Sequence, residues 1–248
     1  MLKIIEHEEI IEISLDRKPV NAMTVEFLNA LIQAHSDAVS QGARAIIISG
    51  REGLFSAGLD VPALINQSRE EIEHFWAVFF TTMKTIASSP VPVAAAITGH
   101  APAGGTVLSL HCDYRVATRG NYSLGLNEVM VGLPVTRNIL YALELIIGAR
   151  QAALFATNAK LLSPEEALSS GLVDELAEEG QAVESCLIWA RHLLELPNIA
   201  MNKTRLAAKS ELIGMAGEIT SYSRLAVDAW FNDEAQRMLK ELVAKLKA

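Results

Sequence analysis

Four short apolar runs, Ile10–Leu15, Ala45–Ser49, Val93–Ile97 and Tyr114–Ala117, alternate with stretches of helical periodicity over Thr24–Val39, Glu70–Ala87 and Gly104–Leu110. Strands separated by helices are joined by crossovers and must be buried on at least one face, which places the first half of the chain in the α/β class. Downstream, Thr136–Phe155, Pro164–Ser170, Ala182–Leu194, Asn198–Lys209 and Ser223–Lys247 read as helices, so the second half is expected to be all-helical. Punctuation supports these bounds. Thr24 precedes a periodic run, Ser163-Pro164-Glu165-Glu166 reads as an N-cap with Pro in the first helical position, and Gly171 is a stop. No low-complexity linker or fixed-period repeat divides the 248 residues, which suit one large domain.

Half of the residues are hydrophobic, yet no apolar stretch approaches the roughly 20 residues that a bilayer span requires. No membrane contact is expected. A net charge of -8 and a pI near 5.3 oppose a nucleic-acid footprint, so an anionic ligand would have to be held by local cations. The two cysteines, Cys112 and Cys186, lie in apolar surroundings and suggest core thiols, not a disulfide framework or a zinc site. Residues 1–15 carry no Arg-rich or signal-type leader, and Lys245-Leu246-Lys247-Ala248 is not a peroxisomal address. A cytoplasmic setting is expected.

Chemistry concentrates in three segments: Phe55-Ser56-Ala57-Gly58-Leu59-Asp60, Ala101-Pro102-Ala103-Gly104-Gly105 and Gly125-Leu126-Asn127-Glu128. The first two are small-residue turns after strand-like runs, where backbone N–H groups can be left free to face a ligand oxygen. The third supplies Glu128, the only acidic residue between Asp113 and Glu144, set among Leu126, Val129, Met130 and Val131. Apolar surroundings raise a carboxyl pKa towards the working range of a base that must later return its proton. Two donors and one carboxylate are what enolate chemistry needs: the donors hold the negative oxygen while the carboxylate takes the proton beside the carbonyl.

These segments, with Ile97-Thr98-Gly99-His100 and Cys112-Asp113-Tyr114-Arg115, resemble the crotonase (enoyl-CoA hydratase/isomerase) superfamily from about Ile10 to the C-terminal helix. Within it they are most similar to the monofunctional, mitochondrial-type 3,2-trans-enoyl-CoA isomerases. The resemblance implies a ββα superhelical spiral over residues 1–195 and a C-terminal helical region over 196–248, in the same domain, that makes the subunit contacts of a homotrimer or dimer of trimers. It implies an oxyanion hole from the backbone N–H groups of Leu59 and Gly104, the latter at a helix start, and Glu128 as the catalytic base. It also implies CoA contacts around Ala22, Ser56 and Ala57, with Arg17 and Lys18 as phosphate-neutralising candidates. Asp60 either frames the adenine pocket or fixes its own turn, and the structural role is favoured.

Two absences sharpen the expected reaction. Hydratases of the superfamily carry a second glutamate three positions after the oxyanion glycine, where this chain has Val107; dienoyl-CoA isomerases carry an aspartate eight positions after the first glutamate, where it has Thr136. One carboxylate can move a proton along an allyl system, but it cannot easily activate water and protonate carbon as well. The expected activity is therefore migration of a 3-enoyl-CoA double bond to the 2-trans position, in fatty acid β-oxidation. No cofactor or metal is expected, and CoA is part of the substrate. A single-carboxylate crotonase acting on another acyl-CoA and a non-catalytic acyl-CoA-binding protein are the alternatives. His100 and His111 lack partners at ligand spacing and read as packing residues. Phe75, Trp76, Phe79 and Phe80 fall at helical spacing and read as core before acyl tunnel.

Overall fold

The computed structural model describes residues 1–247. In chain order its elements are β1 (Leu2–His7), β2 (Ile10–Leu15), α1 (Val25–Ser40), β3 (Ala45–Ser49), β4 (Gly53–Leu54), α2 (Val61–Leu64), α3 (Arg69–Ala87), β5 (Val93–Ile97), β6 (Gly99–Pro102), α4 (Gly104–Leu110), β7 (Tyr114–Thr118) and β8 (Leu124–Gly125). A 3₁₀ turn (Glu128–Val131) leads to α5 (Arg137–Ile147), α6 (Ala149–Thr157), α7 (Pro164–Ser170), β9 (Glu175–Ala177), α8 (Ala182–Leu194), α9 (Asn198–Ala208), α10 (Ser210–Ala216), α11 (Ile219–Trp230) and α12 (Asp233–Lys247).

Strands β1-β2-β3-β5-β7-β9 form one sheet, antiparallel only at β1/β2, and the short strands β4-β6-β8 form a second, parallel one. After each of β3, β5 and β7 the chain crosses to the second sheet before returning, which is the ββα spiral of a crotonase fold. The large sheet is buried on both faces from β2 to β7, while the edge strand β1 is largely exposed. Ile11, Ile13, Ile46, Ile48 and Ala95 face the main core with α1 and α3, while Ile10, Ile47, Ala94 and Ala96 pack under Cys186, Leu187 and Ala190 of α8. Period-2 side-chain alternation sends alternate residues to two covered faces, which explains the uninterrupted apolar runs.

The second half is not all-helical, because β9 extends the sheet beside β7. The helix expected over Thr136–Phe155 breaks into α5 and α6 at Gly148, with φ 80° and ψ 149°. An apolar pattern continues across that break and hides it. The one expected over Ser223–Lys247 is likewise two helices, joined at Phe231 and Asn232, and α10 falls in a stretch the periodicity left unassigned. Thr24 accepts the Phe27 N–H, and Ser163 and Glu166 form a reciprocal capping box that starts α7. Leu212, Tyr222, Val227, Trp230 and Leu239 of the C-terminal helices join the same core as the spiral. Among the described residues no helix is long and apolar enough to cross a membrane.

Candidate active site

The loop from β4 into α2 is pinned mainly by hydrogen bonds to the segment just before α1. Buried Asn21 donates to Leu15 O and Phe55 O at 3.0 and 2.9 Å. The Ser56 hydroxyl donates to Asn21 O at 2.7 Å and accepts the Gly58 N–H at 3.2 Å. Met23 and Leu59 form an isolated parallel bridge, in which Met23 N–H donates to Gly58 O and Asp60 N–H donates to Met23 O. The Leu59 N–H lies between these bonds and finds no protein acceptor among the described residues.

The second loop is built on strain. Ala103 sits at φ 47°, ψ -119°, a region that favours glycine, and starts α4 with its N–H tied to Gly125 O at 2.8 Å. The next N–H, that of Gly104, is also without a protein acceptor among the described residues. The two loops touch. A Cβ on Gly58, which is at φ 85°, would stand 3.0 Å from Gly104 N, and one on Gly104 would stand 3.1 Å from the Gly58 Cα. Only glycine at both positions lets the two loops, each with one free donor, approach this closely.

Glu128 opens the 3₁₀ turn, and its backbone carbonyl accepts the Leu133 N–H at 3.1 Å. Its Oε2 is shielded from solvent and has no partner among the described residues. Burial pushes the carboxyl up to about 7, against the smaller lowering effect of its own backbone N–H. A buried carboxyl without a fixed donor is a proton acceptor held in reserve, since a structural carboxylate is normally satisfied.

One cavity of about 640 Å³ has Leu59, Pro102 and Ala103 on one wall and Glu128, Val131 and Leu133 on another, while Gly104 is buried next to Ala103 and does not itself line it. Ala22, Ala57, Asp60 and Arg17 line it too; Lys18 is exposed and does not, and Ser56 is buried behind the wall with its hydroxyl already engaged. Asp60 caps α2 through Ala63 N–H at 3.2 Å and pairs with Arg17 at 2.8 Å, while Arg17 also donates to Ala22 O at 3.0 Å. The structural part of Asp60 therefore lies in both bonds. Arg51, outside the sequence-derived set, donates to the carbonyl of Pro19 at the same rim.

Val107 is 1% exposed within α4 and belongs to the main core instead of the cavity lining. Thr136 does line the cavity, and its hydroxyl donates to Asn138 Oδ1 at 2.6 Å. Of the α3 aromatics, Phe75 and Phe80 are core only, whereas Trp76 and Phe79 also form cavity wall. His100 accepts the Ser123 N–H, and buried His111 is held near a pKa of about 4 by desolvation, so both are accounted for by packing. Sequence reading missed Ala226 and Ala229 of α11 and Leu242 and Leu246 of α12, which close the far side of the cavity. The amphipathic pattern of α12 was the one available signal, but it names no partner.

Comparison with known proteins adds three findings. A family profile described as "Enoyl-CoA hydratase/isomerase" matches residues 6–244. The chain is 32% identical over 192 residues to human "Enoyl-CoA delta isomerase 1, mitochondrial", covering 75% of this chain and 63% of that one, and so spans less than two thirds of that relative's length. It is 30% identical over 215 residues to "Probable enoyl-CoA hydratase echA17" of Mycolicibacterium paratuberculosis, covering 86% and 81%. The crystal structure of human mitochondrial delta3-delta2-enoyl-CoA isomerase superimposes with a TM-score of 0.94 at 26% identity, over 99% of this chain and 98% of that one.

Proposed function

The chain belongs to the enoyl-CoA hydratase/isomerase (crotonase) family, and from that premise we propose that it converts 3-enoyl-CoA thioesters to their 2-trans isomers. The carrying observation is that, among the described residues, Glu128 is the one carboxyl lining the cavity without an ion-pair partner or a hydrogen bond to another residue, Asp60 being tied to Arg17. The ionised Glu128 removes a proton from the α-carbon. The electron pair spreads into a dienolate whose thioester oxygen receives the Leu59 and Gly104 N–H groups. The same carboxyl then returns the proton at the γ-carbon, so atoms balance and no other group is consumed. A base near pKa 7 is matched to both halves of this transfer.

CoA lies across the rim at Arg17, Ala22, Ala57 and Asp60 in this reading, with Lys18 and Arg51 adding positive charge from the adjacent surface. Two buried free thiols, Cys112 and Cys186, suit a reducing cytoplasmic setting. Exposed apolar side chains of the helical half, Ile188 at 61% and Ile199 at 72%, support association into a homotrimer or dimer of trimers.

Hydration is the second reading, favoured by the name of the mycobacterial relative. It requires a group to orient water, and the α4 position that could supply one carries a core valine. Incubation with a 3-enoyl-CoA tests the proposal. The conjugated 2-enoyl thioester is expected to accumulate, whereas tight binding of the ester with no new absorbance and no exchange at its α-carbon would point to a non-catalytic acyl-CoA-binding protein.

A further inference from the structure

One contact joins the turn that carries Glu128 to the far end of the chain. Gly132 closes the 3₁₀ turn at φ 76°, and a Cβ there would lie 2.9 Å from the Ala235 Cα and 3.1 Å from the Ala235 N. The backbone of α12 is thus seated directly on the turn. Ala235 and Leu239 are fully buried, and Leu242 and Leu246, next along the same helical face, line the cavity. Helix α12 also packs against α2, the element that follows the Leu59 loop, and the Gln236 amide donates to Trp230 O at 2.9 Å, fixing the joint with α11. A single helix face therefore touches the Glu128 turn, the oxyanion-loop side and the open wall of the cavity.

We infer that α12 is a positioning element for Glu128: Ala235 seats the turn through Gly132, and Leu242 completes the wall that keeps water from the carboxyl. The inference rests on Glu128 being the base of the proposed reaction. Its physical content is desolvation, since burial is the dominant cause of the raised Glu128 pKa. Other ionisable groups do not compete. Those lining the cavity are Arg17 and Asp60, paired with each other, and Asp233, Glu234, Arg237, Lys240, Glu241 and Lys245 on α12 are all exposed. If α12 is displaced or its apolar wall made polar, water reaches Glu128 and its pKa falls towards the ordinary value of 4.5.

The test follows the Glu128 carboxyl by ¹³C NMR in protein labelled at glutamate, the resonance being identified by its loss in Glu128→Gln, alongside kcat and KM for a 3-enoyl-CoA. Ala235→Leu wedges α12 away from Gly132. Leu242→Gln makes the wall polar at a half-buried position that threatens folding less, and Leu242→Met is the size-conserving control. Both disruptive variants are expected to lower the Glu128 midpoint by at least about 1 pH unit and kcat by about tenfold or more, with KM changed less than about threefold. Leu242→Met is expected to retain the wild-type midpoint. The inference is overturned if the midpoint is unmoved in Leu242→Gln and in any folded Ala235→Leu. A wild type that fails to isomerise would remove the reaction, while the titration still decides the role of α12.

Discussion

Glu128→Gln is expected to lower turnover of a 3-enoyl-CoA by on the order of 10²–10⁴ while leaving binding of the ester largely intact. Glutamine keeps the volume and one acceptor oxygen but cannot carry the proton from one carbon to the other. Thr136 does not replace it, because its hydroxyl donates to Asn138 and has no acidic form near neutrality. The same substitution should stabilise the fold at neutral and higher pH. In the folded chain the carboxyl is raised from 4.5 to about 7, so its contribution to stability is present below the unfolded value and lost as pH rises through the folded one. Relative to wild type, the variant should therefore gain up to about 3 kcal/mol at pH 8 and nothing near pH 4. Activity assays with melting curves at the two pH values check both. Turnover within a few-fold of wild type, or a variant no more stable at pH 8, would contradict the assignment.

Gly58→Ala is expected to cost nearly as much activity by a different route. The added methyl group meets the Gly104 nitrogen at 3.0 Å and the Ala103 Cβ at 3.2 Å, in a backbone with φ 85° that an L side chain resists. Relief requires the two loops to part, and that separates the Leu59 and Gly104 donors. Loss of one oxyanion donor costs about 2.7–4 kcal/mol of transition-state stabilisation, or about 10²–10³ in kcat. Leu59 and Gly104 act through the main chain, so their own side chains are not the sensitive feature. A Gly58→Ala variant that melts near wild type and turns over within about threefold of it would show that these donors do not hold the developing charge.

The segments that form the cavity wall were legible because each is short and carries its own geometry. Phe55–Asp60 and Ala101–Gly105 combine small residues with glycines at close approaches, and Glu128 is isolated among apolar neighbours. The structure brings all three to one cavity. The strands were legible where both faces are covered, as at Ala45–Ser49 and Val93–Ile97. What escaped depends on contacts distant in sequence. Nothing around Ala235 or Leu242 announces that α12 returns to the Glu128 turn, and the Arg17–Asp60 pair cannot be read from either residue alone. Gly148 and the Phe231–Asn232 joint escaped because amphipathic patterns run on through turns that only backbone dihedrals reveal. Val107 stands where the hydratases carry a second glutamate, but its side chain turns into the core and does not line the cavity.

The most direct measurement compares two reactions in one preparation: isomerisation of a 3-enoyl-CoA and hydration of the corresponding 2-enoyl-CoA. Both use the same donors for the thioester oxygen and differ in the groups that must handle water. With one unpaired carboxyl in the cavity, isomerisation should exceed hydration by about 10² or more, since a missing general acid–base typically costs that much. Formation of 3-hydroxyacyl-CoA at a rate comparable to isomerisation would contradict the account, because another residue would then have to supply the second acid–base function.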